Sequence, residues 1–195
     1  MSETHNNITL YLFRHGQTDW AKSGQHTGRT DIPLNDVGRA QAASLKEAVK
    51  HLNFDAVLVS PLSRAKETAE IAGLFNAETI IDDLAEFDYG KYEGLTSSQI
   101  REQVADWTIW THDCPGGETL DQVAKRTENV IAKASKIGGT VALFAHGHVL
   151  RILTARWLGL SATFGQYLLL DPSTVSILSN DRGTPAIKLW NSPPY

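Results

Sequence analysis

The sequence predicts an α/β fold: a three-layer α/β/α sandwich around a largely parallel central sheet, with an antiparallel hairpin near the C-terminus. Two observations carry this. Short apolar runs alternate with longer helical patterns through most of the chain, as in strand-helix-strand units whose strands lie parallel. Near the end, Thr174 to Leu178 and Ala186 to Trp190 flank Asn180-Asp181-Arg182-Gly183, a turn signal that joins adjacent strands directly.

Each element has its own warrant. The apolar run Ile8 to Phe13 reads as the first strand. Val37, Leu45, Ala48, Val49 and Leu52 form an apolar stripe, which predicts a helix from the N-cap Asn35 to Leu52. Ala56 to Val59 is a second strand. A helix then starts at Pro61, favoured at the first helical position, and runs through Ala72 to the break at Gly73. Thr79 to Ile81 reads as a third strand. A helix over Glu118 to Lys136 is closed by Gly138-Gly139, Val141 to Ala145 is a fourth strand, and a helix from His148 to Trp157 stops before Gly159.

No repeat, low-complexity tract or linker divides the chain. Its 195 residues, 42% hydrophobic and 21% charged, suit one domain, residues 1–195, with a full core. A net charge of -4 without a cluster of Lys and Arg argues against a nucleic-acid surface. The first strand is short and follows the polar Met1 to Asn7, unlike a signal peptide or a membrane span, so a cytoplasmic protein without a membrane partner is expected. A single cysteine, Cys114, excludes an internal disulfide and any multi-cysteine zinc site. Nothing in the sequence settles the oligomeric state, and a homo-oligomer is left open.

A parallel sheet gathers whatever follows the C-terminal ends of its strands on one edge. The first strand ends in Arg14-His15-Gly16, where the glycine lets the backbone turn sharply. The second runs into Ser60-Pro61-Leu62-Ser63-Arg64, the fourth into His146-Gly147-His148, and the loop after the third carries Glu86, Asp88, Tyr89 and Glu93. Two arginines, two histidines and a carboxylic acid converging there suit phosphoryl transfer without a metal or cofactor. Fixed cations and helix N-terminal amides stabilise the charge spread over three phosphoryl oxygens. Arg14 and Arg64 fit that task. His15, kept neutral by neighbouring cations, is a competent nucleophile at phosphorus. Glu86, kept protonated beside a phosphate dianion, protonates the leaving oxygen, with Asp88 and Glu93 as rival acids.

Several motifs occur in order: Arg14-His15-Gly16, Ser60 to Ala65 with Thr68-Ala69, Glu86 with Tyr89-Gly90 and Glu93-Gly94, Gly117-Glu118, and His146-Gly147. Together they resemble the histidine phosphatase superfamily, its phosphoglycerate-mutase-like branch, over nearly the whole chain. The resemblance implies a phosphohistidine at His15, a phosphate pocket of Arg14, Arg64 and His146, and Glu86 as proton donor. The segments Arg14 to Gly28, Glu86 to Tyr89, Trp110 to Cys114 and Phe144 to Arg151 are similar to the sedoheptulose-1,7-bisphosphatase group and a bacterial acid phosphatase group near it. That similarity implies substrate contacts at Thr27, Gly28, Tyr89 and Arg151. Mutases of the branch usually have a phosphate-binding asparagine where Ala21 stands, and a longer basic insertion in place of Thr96 to Pro115.

The expected activity is therefore hydrolysis of a small phosphorylated metabolite, such as a sugar bisphosphate. A cofactor-dependent phosphoglycerate mutase and a non-catalytic phospho-ligand binding module are the alternatives. His146 and His148 would be half a metal site, but alternation points their side chains apart. His5, His26, His51 and His112 read as surface residues, Trp107 and Trp110 as core or as a lid over the site, and Cys114 as inert. Arg151 reads either as a distal anchor or as one half of an ion pair.

Overall fold

The computed structural model describes residues 8–75 and 80–194. Among them five strands form one sheet: β1 (Ile8–Arg14), β2 (Ala56–Val59), β3 (Gly139–Ala145), β4 (Val175–Asp181) and β5 (Thr184–Ser192), in the order β2-β3-β1-β4-β5. The first three are parallel, with Leu12 beside Leu143 and Leu58 beside Leu143. β4 and β5 run antiparallel, so the sheet is mixed: parallel at its centre and antiparallel toward the C-terminus.

Period-two alternation sends the strand side chains into two cores. Leu10, Leu12, Val141 and Leu143 pack on one face under α5 (Leu120–Ile137) and α6 (Gly147–Trp157). Phe13, Val59, Ala142 and Phe144 pack on the other under α2 (Asp36–Val49) and α3 (Ser63–Ile71), with Phe13 stacked on Phe144 at 4.6 Å. Two short helices, α1 (Asp19–Ser23) and α4 (Ser97–Arg101), flank the C-terminal edge of the sheet. Five residues are too few to show a helical period, and neither was expected from the sequence.

Several expectations need correction. Of the expected third strand, Thr79 lies outside the described residues. Ile80 makes only an isolated parallel bridge to Val59, and the chain then enters a 3-10 turn at Asp82–Leu84. The second long helix starts at Ser63 rather than Pro61, and the first stops at Val49 rather than Leu52. Val37 is 53% exposed, and the buried stripe of α2 is Gly38, Ala42, Leu45 and Val49. Gly38 packs where a side chain cannot, since a Cβ there would lie 2.1 Å from the Gln17 carbonyl oxygen. The hairpin is tighter than its four-residue signal: Asp181 pairs with Thr184 around Arg182 and Gly183, both at positive φ, as a twisted two-residue turn requires.

Candidate active site

The parallel strands deliver their following residues to one edge, where a cavity of about 190 Å³ opens. Arg14, His15, Thr27, Glu86, Tyr89 and Arg151 line it, together with Gln25, His26, His148 and Leu170. Arg64 and His146 lie behind it, fully buried in the floor. Gly28 is packed away: a Cβ there would lie 2.1 Å from Glu93 Oε1, and its carbonyl accepts Arg64 Nη2 at 2.9 Å. Gly16 has no positive φ, so it is not needed for a turn. It is needed for close approach, since a Cβ would lie 2.4 Å from the Gly38 carbonyl oxygen.

His15 is held by its own loop. Its Nδ1 lies 2.7 Å from the Gly16 carbonyl oxygen, which can only accept, so Nδ1 carries the proton and Nε2 the lone pair. Burial pushes its pKa well below the ordinary histidine value, and the charges of Arg64 and Arg14 push it further. Arg14 donates Nη1 to the Leu170 carbonyl, while its buried Nε has no partner among the described residues. A buried donor left unpaired is costly, and an arriving oxyanion would satisfy it.

The floor behind is largely paired within itself. Arg64 donates Nε to His146 Nδ1 at 3.1 Å, and its other nitrogens to the carbonyls of Thr27, Gly28 and Thr30. Because His146 Nδ1 accepts, its Nε2 carries the proton and donates to Ser60 Oγ at 2.6 Å. Burial, then Arg64, holds this ring neutral as well.

Glu86 occupies the N-terminus of α6. Its Oε1 accepts from the backbone N–H of Phe87 and Val149, and Oε2 from that of His148, at 2.9 to 3.1 Å. The helix N-terminal amides expected to hold phosphate thus hold the acid instead. Its rivals face elsewhere: Glu93 accepts the backbone N–H of Arg29 and Thr30, ordering their loop, and Asp88 accepts that of Gly90.

The wall above the floor is mostly neutral. Tyr89 Oη lies 2.6 Å from His148 Nδ1, and burial raises the phenol well above its usual pKa. His148 is lowered well below the usual value by burial and then by Arg151. His26, read as a surface residue, packs against Tyr89 with the rings tilted 41° and 4.7 Å apart, and burial lowers its pKa to about 4. Arg151 pairs with no acid among the described residues; it donates to the carbonyls of Gly165 and Gln166 and lies 4.6 Å over the Trp110 ring. Trp107 and Trp110 are buried in the core beneath this wall. Cys114 is buried, and desolvation pushes its thiol up to about 12, far from a nucleophilic thiolate.

His26 and His148 were not placed at the site from sequence, although His148 sits two residues beyond a named candidate. Arg126, 8% exposed behind Glu86, was also missed, because one arginine in an amphipathic helix reads as a solvated side chain. Among the described residues no helix is long and apolar enough to cross a membrane.

Known proteins resemble this chain over most of its length. A family model described as histidine phosphatase superfamily (branch 1) matches residues 10–193. An acid phosphatase of Mycobacterium tuberculosis is 39% identical over 181 residues, 91% of this chain and 89% of its own. A sedoheptulose 1,7-bisphosphatase of Saccharomyces cerevisiae is 34% identical over 181 residues, 76% of this chain and 67% of its own. The solved structure of an open-reading-frame product of Mycobacterium tuberculosis superposes with a TM-score of 0.92 at 36% identity, covering 97% of this chain and 100% of that one.

Proposed function

The chain belongs to the histidine phosphatase superfamily, branch 1, a phosphatase-type enzyme family, and from that premise we propose that it hydrolyses small phosphorylated metabolites, sugar bisphosphates among them, through a phosphohistidine at His15 and without a metal. One observation carries the reading. A neutral imidazole, fixed through Nδ1 and with no described group bonded to Nε2, shares a cavity with a partnerless Arg14 Nε and with Glu86.

In the first step the Nε2 lone pair attacks phosphorus, the bond to the ester oxygen breaks, and Glu86 gives that oxygen a proton. Arg14 takes a phosphoryl oxygen through Nε. Arg64 and His146 form the buried floor, Arg64 supplying a fixed positive charge and His146 anchoring it. In the second step Glu86, now a carboxylate, takes a proton from water whose oxygen attacks phosphorus, and the N–P bond breaks to free His15. Thr27, Tyr89 and Arg151 face the rest of the substrate, whereas Gly28 reaches it only through the loop it shapes. Ala21 lines the cavity with a methyl group, which offers phosphate no hydrogen bond and so favours release over return to product.

Incubation with substrate followed by an alkaline quench should trap an acid-labile phosphoenzyme, and His15→Ala should lose it. Label at another residue, or turnover that EDTA abolishes and zinc restores, would end the mechanism.

A further inference from the structure

The Gly117-Glu118 motif takes no part in the transfer steps, yet it ends in a largely buried ion pair directly behind the proton donor. Arg126, on α5, uses all five of its N–H groups. Nε and Nη2 bind Glu118 Oε1 and Oε2 at 2.8 and 3.0 Å, Nη1 binds the carbonyls of Asp83 and Ala85 at 2.8 and 2.6 Å, and Nη2 binds the carbonyl of Glu86 itself at 3.1 Å. Glu118 extends the hold past the acid: Oε2 accepts the Asp88 N–H at 3.0 Å, and the Glu118 N–H donates to the Asp88 carbonyl at 2.9 Å. Gly117 permits this approach, since a Cβ there would lie 2.2 Å from the Asp88 carbonyl oxygen.

Residues 83, 85, 86 and 88 are therefore tied by one side-chain pair on both sides of Glu86. These carbonyls are bound by a side chain from α5, and the carboxylate at the centre of the loop meets the N-terminus of α6. As a source of stability alone a buried ion pair is poor, because desolvation offsets much of the attraction. As a source of geometry it is good: the planar guanidinium fixes three carbonyls in one plane with a bidentate carboxylate, which a lysine with one ammonium cannot do.

We infer that Arg126 and Glu118 are positioning residues that aim the Glu86 carboxyl for proton transfer, a role that rests on reading Glu86 as the acid. They touch neither substrate nor phosphorus, so their effect must travel through Glu86. It then has a signature that plain loss of stability lacks. An alkyl leaving group depends on protonation, an aryl one with a good leaving oxygen much less, and kcat/KM covers only the steps through transfer to His15.

The test compares glycerol phosphate with p-nitrophenyl phosphate. Arg126→Lys should lower kcat/KM for glycerol phosphate about tenfold, as small misplacement of a catalytic group does, and for the aryl ester less than about twofold. In a Glu86→Gln background it should cause no further loss on glycerol phosphate. Glu118→Gln keeps the size and removes the charge; it should show the same leaving-group pattern, and it decides the matter if Arg126→Lys does not fold. Equal losses on both esters, or losses that add in full to that of Glu86→Gln, would overturn the positioning role and leave the acid standing. If Glu86→Gln itself spares glycerol phosphate, the acid is misread and the positioning role falls with it.

Discussion

The floor of the cavity and its wall are built on opposite terms. The floor follows strand ends: His15 leaves β1 with its backbone N–H bonded to the Ala145 carbonyl, and His146 leaves β3 beside it, the two rings 5.0 Å apart. Its side chains are buried and cationic or neutral, and almost every donor is already assigned. The wall comes from loops and from α6, and it offers Gln25, His26, Thr27, Tyr89 and His148 with one distal cation, Arg151. The difference teaches where each part of the chemistry resides. On the proposed mechanism, transfer draws on His15 and His146 at strand ends and on Glu86 in a loop tied to α5 and α6, whereas selection among leaving groups is left to wall side chains that substitution changes without disturbing the sheet.

The sharpest way to break the comparison is at the floor. His15→Ala should abolish phosphate release while circular dichroism stays native, because it removes the imidazole that shares the cavity with the unpaired Arg14 Nε and with Glu86. Measurable turnover in that variant would remove His15 from the mechanism. Glu86→Gln comes next, lowering turnover of glycerol phosphate roughly 10²- to 10⁴-fold, about 3 to 5 kcal/mol in barrier, and sparing aryl esters in the first step. Should Asp88→Asn or Glu93→Gln have that effect instead, the acid lies elsewhere.

At the wall the effects should be smaller and substrate-dependent. Arg151→Ala is expected to cost roughly ten- to a hundredfold in kcat/KM for a sugar bisphosphate, the worth of one charge-assisted hydrogen bond of about 1.5 to 3 kcal/mol. A small monoester should scarcely respond. Uniform losses on both would place Arg151 among structural residues, holding the Gly165 to Gln166 turn.

A further effect is on stability against pH rather than on turnover. His15, His146 and His148 are held well below the usual value of 6.5, and His26 at about 4. As pH falls through 6.5 the unfolded chain takes up protons that the folded chain refuses. Stability present above that value is thus lost below it, with a slope of up to about 1.4 kcal/mol per pH unit for each histidine. Thermal midpoints should fall between neutral and acidic pH, and each His→Gln substitution should flatten that fall. The same shift keeps His15 unprotonated below pH 6.5, so the acid limb of kcat/KM should lie lower; a limb at 6.5 would contradict the burial of His15.

The legibility of the fold followed the strength of each local pattern. β1, β2 and β3 could be read because strands buried on both faces are unbroken apolar runs, and α5 because eighteen residues repeat their period several times. The bridge at Ile80 and the five-residue helices α1 and α4 could not, since each is fixed by a few contacts with distant segments. Gln25 with Thr96 is one such contact, 71 positions apart for the neighbouring His26 to Ser97 pair.

For the site, the residues themselves determined what chemistry was available: Arg14-His15-Gly16 at a strand exit, Arg64 after the next, His146 after another, and an acid in the loop between. Which of those groups line the cavity was decided by tertiary structure alone. Arg64 and His146 were drawn into the floor, Gly28 was sealed under Glu93, and His26 and His148 were brought out to the wall. The physical reason is that buried polar groups must satisfy one another, and the partners that do so, such as Arg126 for the Glu86 loop or Ser60 for His146, lie tens of residues away with no local signature.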